Sequence, residues 1–275
     1  MKPLILNLTP TGMVPTLQDT PHVPLTVEAI ARDVAQGVAL GVSMVHLHAR
    51  DVEGRPTPDP AVYGELIRRL RQDHPGLVLV VSTSGRTHPA FEDRAAVLDL
   101  AGDARPDMAS LTLGSLNFAH TASLNSPEVI QRLAARMQER GIRPELEVFD
   151  LGMVNVAHYL IRKGLLTPPY YFNLILGNLA TAQARLSHVA LMVSELPEGS
   201  LWSLGGIGPA QLSMTGLGAL MADGVRVGLE DNLHLDEERT RLATNTELVA
   251  RVRAIAEAAG RGVATPGEVR LRLGL

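Results

Sequence analysis

Residues 42–51 read "VSMVHLHARD", an apolar run that closes on two histidines, His46 and His48, one residue apart. Alternation along a strand puts both imidazoles on one face. What that face looks onto depends on the rest of the sheet, and the same kind of run recurs along the chain. Strand-like stretches fall at 4–9, 77–83, 108–113, 145–150, 170–176, 200–206 and 225–229. Between them stand "TVEAIARDVAQGVALG", "PAVYGELIRRLRQ", "SPEVIQRLAARMQER" and "TELVARVRAIAEAAG", with apolar residues at helical spacing. Thr26, Asp59 before Pro60 and Ser126 before Pro127 mark helix starts. Eight such strand–helix units in 275 residues predict an α/β fold, a (β/α)8 TIM barrel forming one domain over residues 1–275. The alternative is an open doubly wound sheet, but the first strand lacks a G-x-G-x-x-G phosphate loop. Residues 265–275 are expected as a terminal helix lying across the barrel or against a neighbouring subunit.

Composition narrows the chemistry. A net charge of −4 and an isoelectric point near 6.1 argue against a nucleic-acid partner, which needs a basic surface. No run is long and apolar enough to span a membrane, and "MKPLILNLTPTG" is too weak for a signal peptide, so a cytoplasmic protein is expected. The chain has no cysteine, and its only lysines are Lys2 and Lys163. Thiol nucleophiles and Schiff-base chemistry therefore have almost no candidate. For carbonyl or carbon–carbon chemistry, a metal is the obvious electrophile left.

In a barrel of this kind the active site lies at the C-terminal ends of the strands. There the second strand presents His46 and His48. The eighth strand, "VRVGLED", puts Arg226, Gly228 and Glu230 on one face, with Asp231 at the rim. Strands 2 and 8 both flank strand 1, so the two imidazoles and Glu230 converge as a catalytic metal site with open positions. Zinc suits these ligands; manganese and iron(II) are compatible with the same ligand types. Arg226 suits a substrate carboxylate bound bidentately. Ser82 and Gly85 of "STSG", which by itself reads as a polar loop, stand at the mouth with Ser110 and Thr112, and the inward carboxylates Glu145 and Glu147 are either site residues or partners in structural ion pairs with arginines. Arg50 and Asp51 could orient a ligand histidine, and His234 is a weak fourth-ligand candidate.

These residues belong to segments that together resemble the β-keto acid cleavage enzymes. The resemblance runs the full length of the chain. It rests on "TPTG" (9–12), "VHLHARD" (45–51), "GRPTPDP" (54–60), "STSG" (82–85), "PDMASLTLGSLNF" (106–118) and "PELEVFDLGM" (144–153). It continues through "LWSLGGIGPAQL" (201–212), "VRVGLEDNL" (225–233) and "ATPGEVRLRLGL" (264–275). The resemblance implies a zinc-dependent barrel, a transferase that passes acyl groups between a 3-oxo acid and acetyl-CoA, giving acetoacetate and a new acyl-CoA. It implies His46, His48 and Glu230 as zinc ligands, and Ser82, Arg226 and Asp231 as the group that deprotonates the keto acid. Gly85 and Ser110 match substrate-contact positions. Glu145 matches an acidic residue by the site, with Glu147 as the other candidate. A homo-oligomer, a tetramer by resemblance, is implied as well.

Three departures stand out. Val14 occupies a substrate-binding position where relatives carry a polar or acidic residue, which points to a substrate with a neutral or apolar side chain. Pro209 replaces an arginine that could meet the phosphates of CoA. Ser84 stands where a second glycine is common. Two other readings compete: a metal-binding barrel that has altered or lost the acyl-CoA chemistry, and another HxH metal-dependent hydrolase. An amidohydrolase-like site would place the histidine pair on strand 1 with further histidines later, and strands 5 and 6 end without one.

Overall fold

The computed structural model describes residues 1–275. Eight parallel strands form a closed barrel: β1 (Ile5–Leu8), β2 (Met44–Leu47), β3 (Val78–Val81), β4 (Met108–Thr112), β5 (Arg143–Val148), β6 (Tyr170–Leu176), β7 (Ser200–Gly206) and β8 (Gly224–Val227). Each strand pairs with its neighbours in sequence, and β1 closes the ring by pairing with both β2 and β8. The eight-unit reading of the sequence therefore holds.

Helices α1 (Val27–Ala39), α2 (Pro60–Asp73), α3 (Phe91–Ala96), α4 (Pro127–Arg140), α5 (Leu151–Arg162), α6 (Leu186–Ser194), α7 (Ala210–Met221) and α8 (Asn245–Ala258) follow the strands in turn. The anticipated starts are real. Thr26, Asp59 and Ser126 each accept a backbone N–H of the first turn, the last two with proline at the head of the helix. That satisfies donors which a helix end otherwise leaves bare. No helix is long and apolar enough to cross a membrane.

Strand alternation sorts the side chains into two environments. Leu6, Leu8, Val45, Leu47, Leu79, Val81 and Leu111 point outward into the main core under the helices. Ile5, Met44, Val78, Val80, Met108, Tyr171 and Leu201 point inward and fill the lower barrel. The final helix, α9 (Pro266–Leu273), lies across that end, with Val269 and Leu273 completing the inner cluster. The floor is thus sealed by apolar packing. Above it the inward positions turn polar: Asn7, His46, Ser82, Ser110, Thr112, Glu145, Glu147, Asn173, Ser203 and Arg226 are all buried.

Two features differ from the expectation. A short antiparallel pair, Leu116–Asn117 with Ala122–Ser123, stands between β4 and α4. The eighth strand also ends at Val227, earlier than the pattern suggested. Glu230 is consequently not on the strand face shared by Arg226. It is returned to the mouth by a turn in which the Asp231 and Asn232 N–H groups donate to the Gly228 carbonyl, while its own N–H donates to the Thr9 carbonyl at 3.1 Å.

Candidate active site

His46 and His48 sit at the top of β2, 1% and 5% exposed. His46 Nδ1 donates to Glu145 Oε2 at 2.6 Å, which turns Nε2 toward the mouth. That nitrogen lies 3.2 Å from His48 Nε2, which lies 3.1 Å from Glu230 Oε1; the third edge, His46 to Glu230, is 3.9 Å. Ring protons close these contacts in the metal-free chain, and a cation at their centre would replace those protons. Ligands about 2.0–2.2 Å from a tetrahedral ion are separated by about 3.3 Å, close to these edges. The other oxygen of Glu230 is buried and without a partner. The trio therefore fits a divalent ion. A second grouping, His46 with Glu145 and Glu147, also gathers within 4.8 Å, but its four carboxylate oxygens are all bonded, to Asn7, His46, Thr112 and Arg226, and none is left over as Glu230 Oε2 is.

Burial alone would push His46 down, yet the Glu145 and Glu230 carboxylates more than offset it and raise the imidazole to about 9. His48 moves the other way: its burial outweighs the pull of Glu230, and it is lowered. Burial also opposes the charge on Glu230, but Arg226, His48 and His46 hold its carboxyl well below the usual range. At Asp231, burial wins over Arg226 and pushes the carboxyl up to about 6. In the network around Arg226 and His46, the carboxylates Glu145, Glu147, Glu230 and Asp231 outnumber those two cations, and this local surplus favours a cation.

Arg226 is held in a different way from the one its position suggested. Its Nε donates to Asp231 Oδ2 at 2.9 Å, its Nη1 to Glu147 Oε1 at 3.2 Å and its Nη2 to Glu230 Oε1 at 2.8 Å. Three carboxylates of the chain thus occupy the guanidinium, and no fork remains for a bidentate substrate carboxylate. The Arg226 Nε and Nη2 bonds to Asp231 fix the orientation of that carboxylate. Thr9 Oγ1 adds a bond to Asp231 Oδ2 at 3.4 Å.

The remaining expected residues separate. Ser82 accepts the Ser84 N–H and borders a small cleft of about 20 Å³ beside His48, also lined by Met13, Tyr63, His88 and Arg94. Ser110 is 2% exposed, and its hydroxyl accepts the Thr83 N–H at 3.1 Å. Gly85 is crowded: a Cβ there would stand 2.8 Å from the Arg94 guanidinium. Val14 is 60% exposed in the loop after β1. Pro209 is exposed at the start of α7. Glu145 is fully buried between His46 and Asn7, whereas Glu147 bonds Thr112 and Arg226 nearer the rim. Arg50 and Asp51 touch neither histidine. Arg50 binds the carbonyls of Gly12, Pro15 and Gly54, and Asp51 caps its own loop with Arg55. His234 lies off the ligand trio, in a bridge to Leu242.

Several contributors carried no motif of their own. Asn7 donates to Glu145 Oε1 at 2.7 Å from across the barrel. Asn245, at the head of α8, accepts the Leu229 N–H and donates to the Pro10 carbonyl and to Asp33, tying the loops after β1 and β8 together. Arg86 and Arg94 flank the strand-3 loop. A polar residue on the inward alternation of "LILNLT" was the one available signal, and it marks Asn7.

This geometry meets a consistent set of relatives. A profile of the β-keto acid cleavage enzyme family matches residues 3–275. The chain is 35% identical, over its whole length and 99% of the relative, to a 3-keto-5-aminohexanoate cleavage enzyme of Fusobacterium nucleatum subsp. nucleatum. It is 33% identical, over its whole length and 95% of the relative, to a 3-oxoadipate:acetyl-CoA acetyltransferase of Cupriavidus necator. Among solved structures, apo ObcA superposes with a TM-score of 0.82 at 25% identity, over 93% of this chain and 66% of that longer one. Matched from end to end in sequence and closed into the same kind of barrel, the chain belongs to the β-keto acid cleavage enzyme family.

Proposed function

We propose that this enzyme exchanges acyl groups between a 3-oxo acid and acetyl-CoA. The carboxymethyl unit of the 3-oxo acid takes up the acetyl group and leaves as acetoacetate, and the remaining acyl group leaves as a new acyl-CoA. The observation that carries this reading is the placement of Asp231, gripped by Arg226, directly beside the His46–His48–Glu230 trio at the barrel mouth. The names of the relatives supply the acetyl-CoA.

His46, His48 and Glu230 would hold the ion, zinc by preference, with manganese or iron(II) accepted by the same ligand types. When bound, it supplies Lewis-acid stabilisation of negative charge developing on the substrate oxygens. Asp231 removes a proton from C2 of the 3-oxo acid, and Arg226 keeps that carboxylate aimed. Ser82 offers a hydroxyl from the opposite side of the mouth. The C2 carbanion attacks the acetyl thioester and releases the CoA thiolate. The thiolate adds to the C3 carbonyl, the C2–C3 bond breaks to leave the acyl group on CoA, and Asp231 returns its proton to the C2 carbanion, so that acetoacetate and the new acyl-CoA depart. The buried setting of Asp231 and Arg226 keeps water from competing for the carbanion.

A cytoplasmic homo-oligomer, a tetramer by family likeness, belongs to the same reading, and light scattering on the purified protein tests its size. The reaction is tested by measuring acetoacetate from acetyl-CoA and a panel of 3-oxo acids, with wild type and His48→Ala. Acetoacetate that requires acetyl-CoA and disappears in the variant is expected. Zinc-loaded wild type that releases none from any acid would leave a barrel that only binds.

A further inference from the structure

The arginines around the mouth are occupied by the chain itself, with one exception. Arg226 has three carboxylates, Arg50 has backbone carbonyls, and Arg94 binds the carbonyls of Thr83 and Leu124 and the amide of Asn125. Arg86 lies in the loop between β3 and α3, four residues beyond Ser82, and is half-buried. Its backbone N–H donates to Ser84 Oγ, but its guanidinium has no carboxylate or carbonyl partner in the chain. Its Cζ sits 3.4 Å over the ring of Phe118, which packs edge-on against Phe149 with centroids 6.2 Å apart. Burial lowers the Arg86 pKa below the usual arginine range, while Glu230, Asp231 and Glu147 favour its charge through space.

Stacking on Phe118 fixes the plane of the guanidinium and leaves its N–H edges free, the arrangement that receives a planar anion in two parallel bonds. The cation is already partly out of water, so an incoming carboxylate meets a weakly solvated partner. We propose that Arg86 is a specificity-determining residue that binds a second carboxylate at the far end of the substrate, so that the preferred substrate class is a 3-oxo dicarboxylic acid. This rests on the acyl-exchange reading above. The phosphates of CoA are the competing anion. A half-buried fork backed by two aromatic rings fits a small carboxylate better than a bulky diphosphate.

The test compares wild type, Arg86→Met and Arg86→Lys in two arms. In the first, kcat/KM for acetoacetate release is measured with 3-oxoadipate and with 3-oxohexanoate. In the second, binding of the unreactive adipate and hexanoate is measured by calorimetry, which requires no turnover. The preference for the dicarboxylate is expected to fall about 10- to 100-fold in Arg86→Met in both arms, as for loss of a charge-assisted bond. Arg86→Lys, which keeps the charge without the fork, should recover part of it. Melting curves check that both variants fold. Equal loss on both acids, or a change confined to the KM for acetyl-CoA, would overturn the proposal, as would wild type binding adipate no better than hexanoate. If neither acid yields acetoacetate, the acyl-exchange reading fails while the calorimetric arm still decides the role of Arg86.

Discussion

Glu145 takes the Nδ1 proton of His46 at 2.6 Å and is itself steadied by Asn7 at 2.7 Å, so the tautomer and tilt of one proposed ligand are set by a residue 99 positions away. Glu145→Gln should weaken zinc binding about 10- to 100-fold, the usual cost of removing such a support. Competition with a chromogenic chelator reads this directly. An unchanged zinc affinity would mean that His46 is not a ligand or that Glu145 does not orient it.

Arg226 and Asp231 should separate on mutation. Arg226→Met leaves the Glu147, Glu230 and Asp231 carboxylates uncompensated in a buried site, at a cost of about 3–5 kcal/mol. Urea unfolding of the metal-free protein is the appropriate measurement. Asp231→Asn removes a carboxylate that burial already disfavours, so stability should hold while acetoacetate release falls about 10²- to 10⁴-fold. Loss of stability without loss of rate in Asp231→Asn would reverse the roles assigned here.

Gly12 supports the mouth from the loop after β1. Its φ is +66°, and a Cβ there would stand 2.6 Å from Cγ of Glu230. Gly12→Ala therefore combines a left-handed backbone with a direct push on a proposed ligand. We expect weaker zinc binding along with a lower melting temperature. A variant that melts early but binds zinc normally would limit Gly12 to the backbone turn.

Asp33 makes stability depend on pH. Its burial raises the carboxyl from 3.8 to about 6, against the bond from Asn245. The folded state thus holds its proton more tightly than the unfolded chain, so this contribution is complete below about pH 4 and is lost as the pH rises through about 6. Asp33→Asn should be the more stable protein at pH 7.5, by at most about 3 kcal/mol, with the advantage shrinking toward pH 4. Urea midpoints of both proteins across that range give the answer. A constant difference would show that Asp33 titrates normally.

The barrel was legible because each strand is a short apolar run between helical patterns, and because proline and N-cap residues mark the helix starts at Pro60 and Pro127. The convergence of His46, His48 and Glu230 was legible because β2 and β8 flank β1 in a closed ring, although Glu230 reaches the mouth on the turn after β8. The partners of those residues were not. The bond from Asn7 to Glu145 spans 138 positions, and that from Arg226 to Glu147 spans 79. Sequence order says nothing about which of several inward carboxylates an arginine will reach. For the same reason Arg226 read as a free fork, when Glu147, Glu230 and Asp231 fill it. The hairpin at Leu116–Asn117 escaped notice because strands of two residues carry no periodicity.

The first strand separates the two halves of the proposed ligand set: β2 brings the histidines to one side of β1, and β8 brings Glu230 to the other, 182 residues beyond His48. A chain emerging from its N-terminus therefore has both imidazoles in hand long before the carboxylate exists. The loop that brings them together is among the longest the chain can close, and closing it is an entropic step that local structure cannot hasten. Docking of β8 onto β1 precedes completion of the trio by one turn, which the Glu230 N–H fastens to the Thr9 carbonyl. The trio thus serves as a clasp on the ring, absent from any folding species whose last strand is undocked.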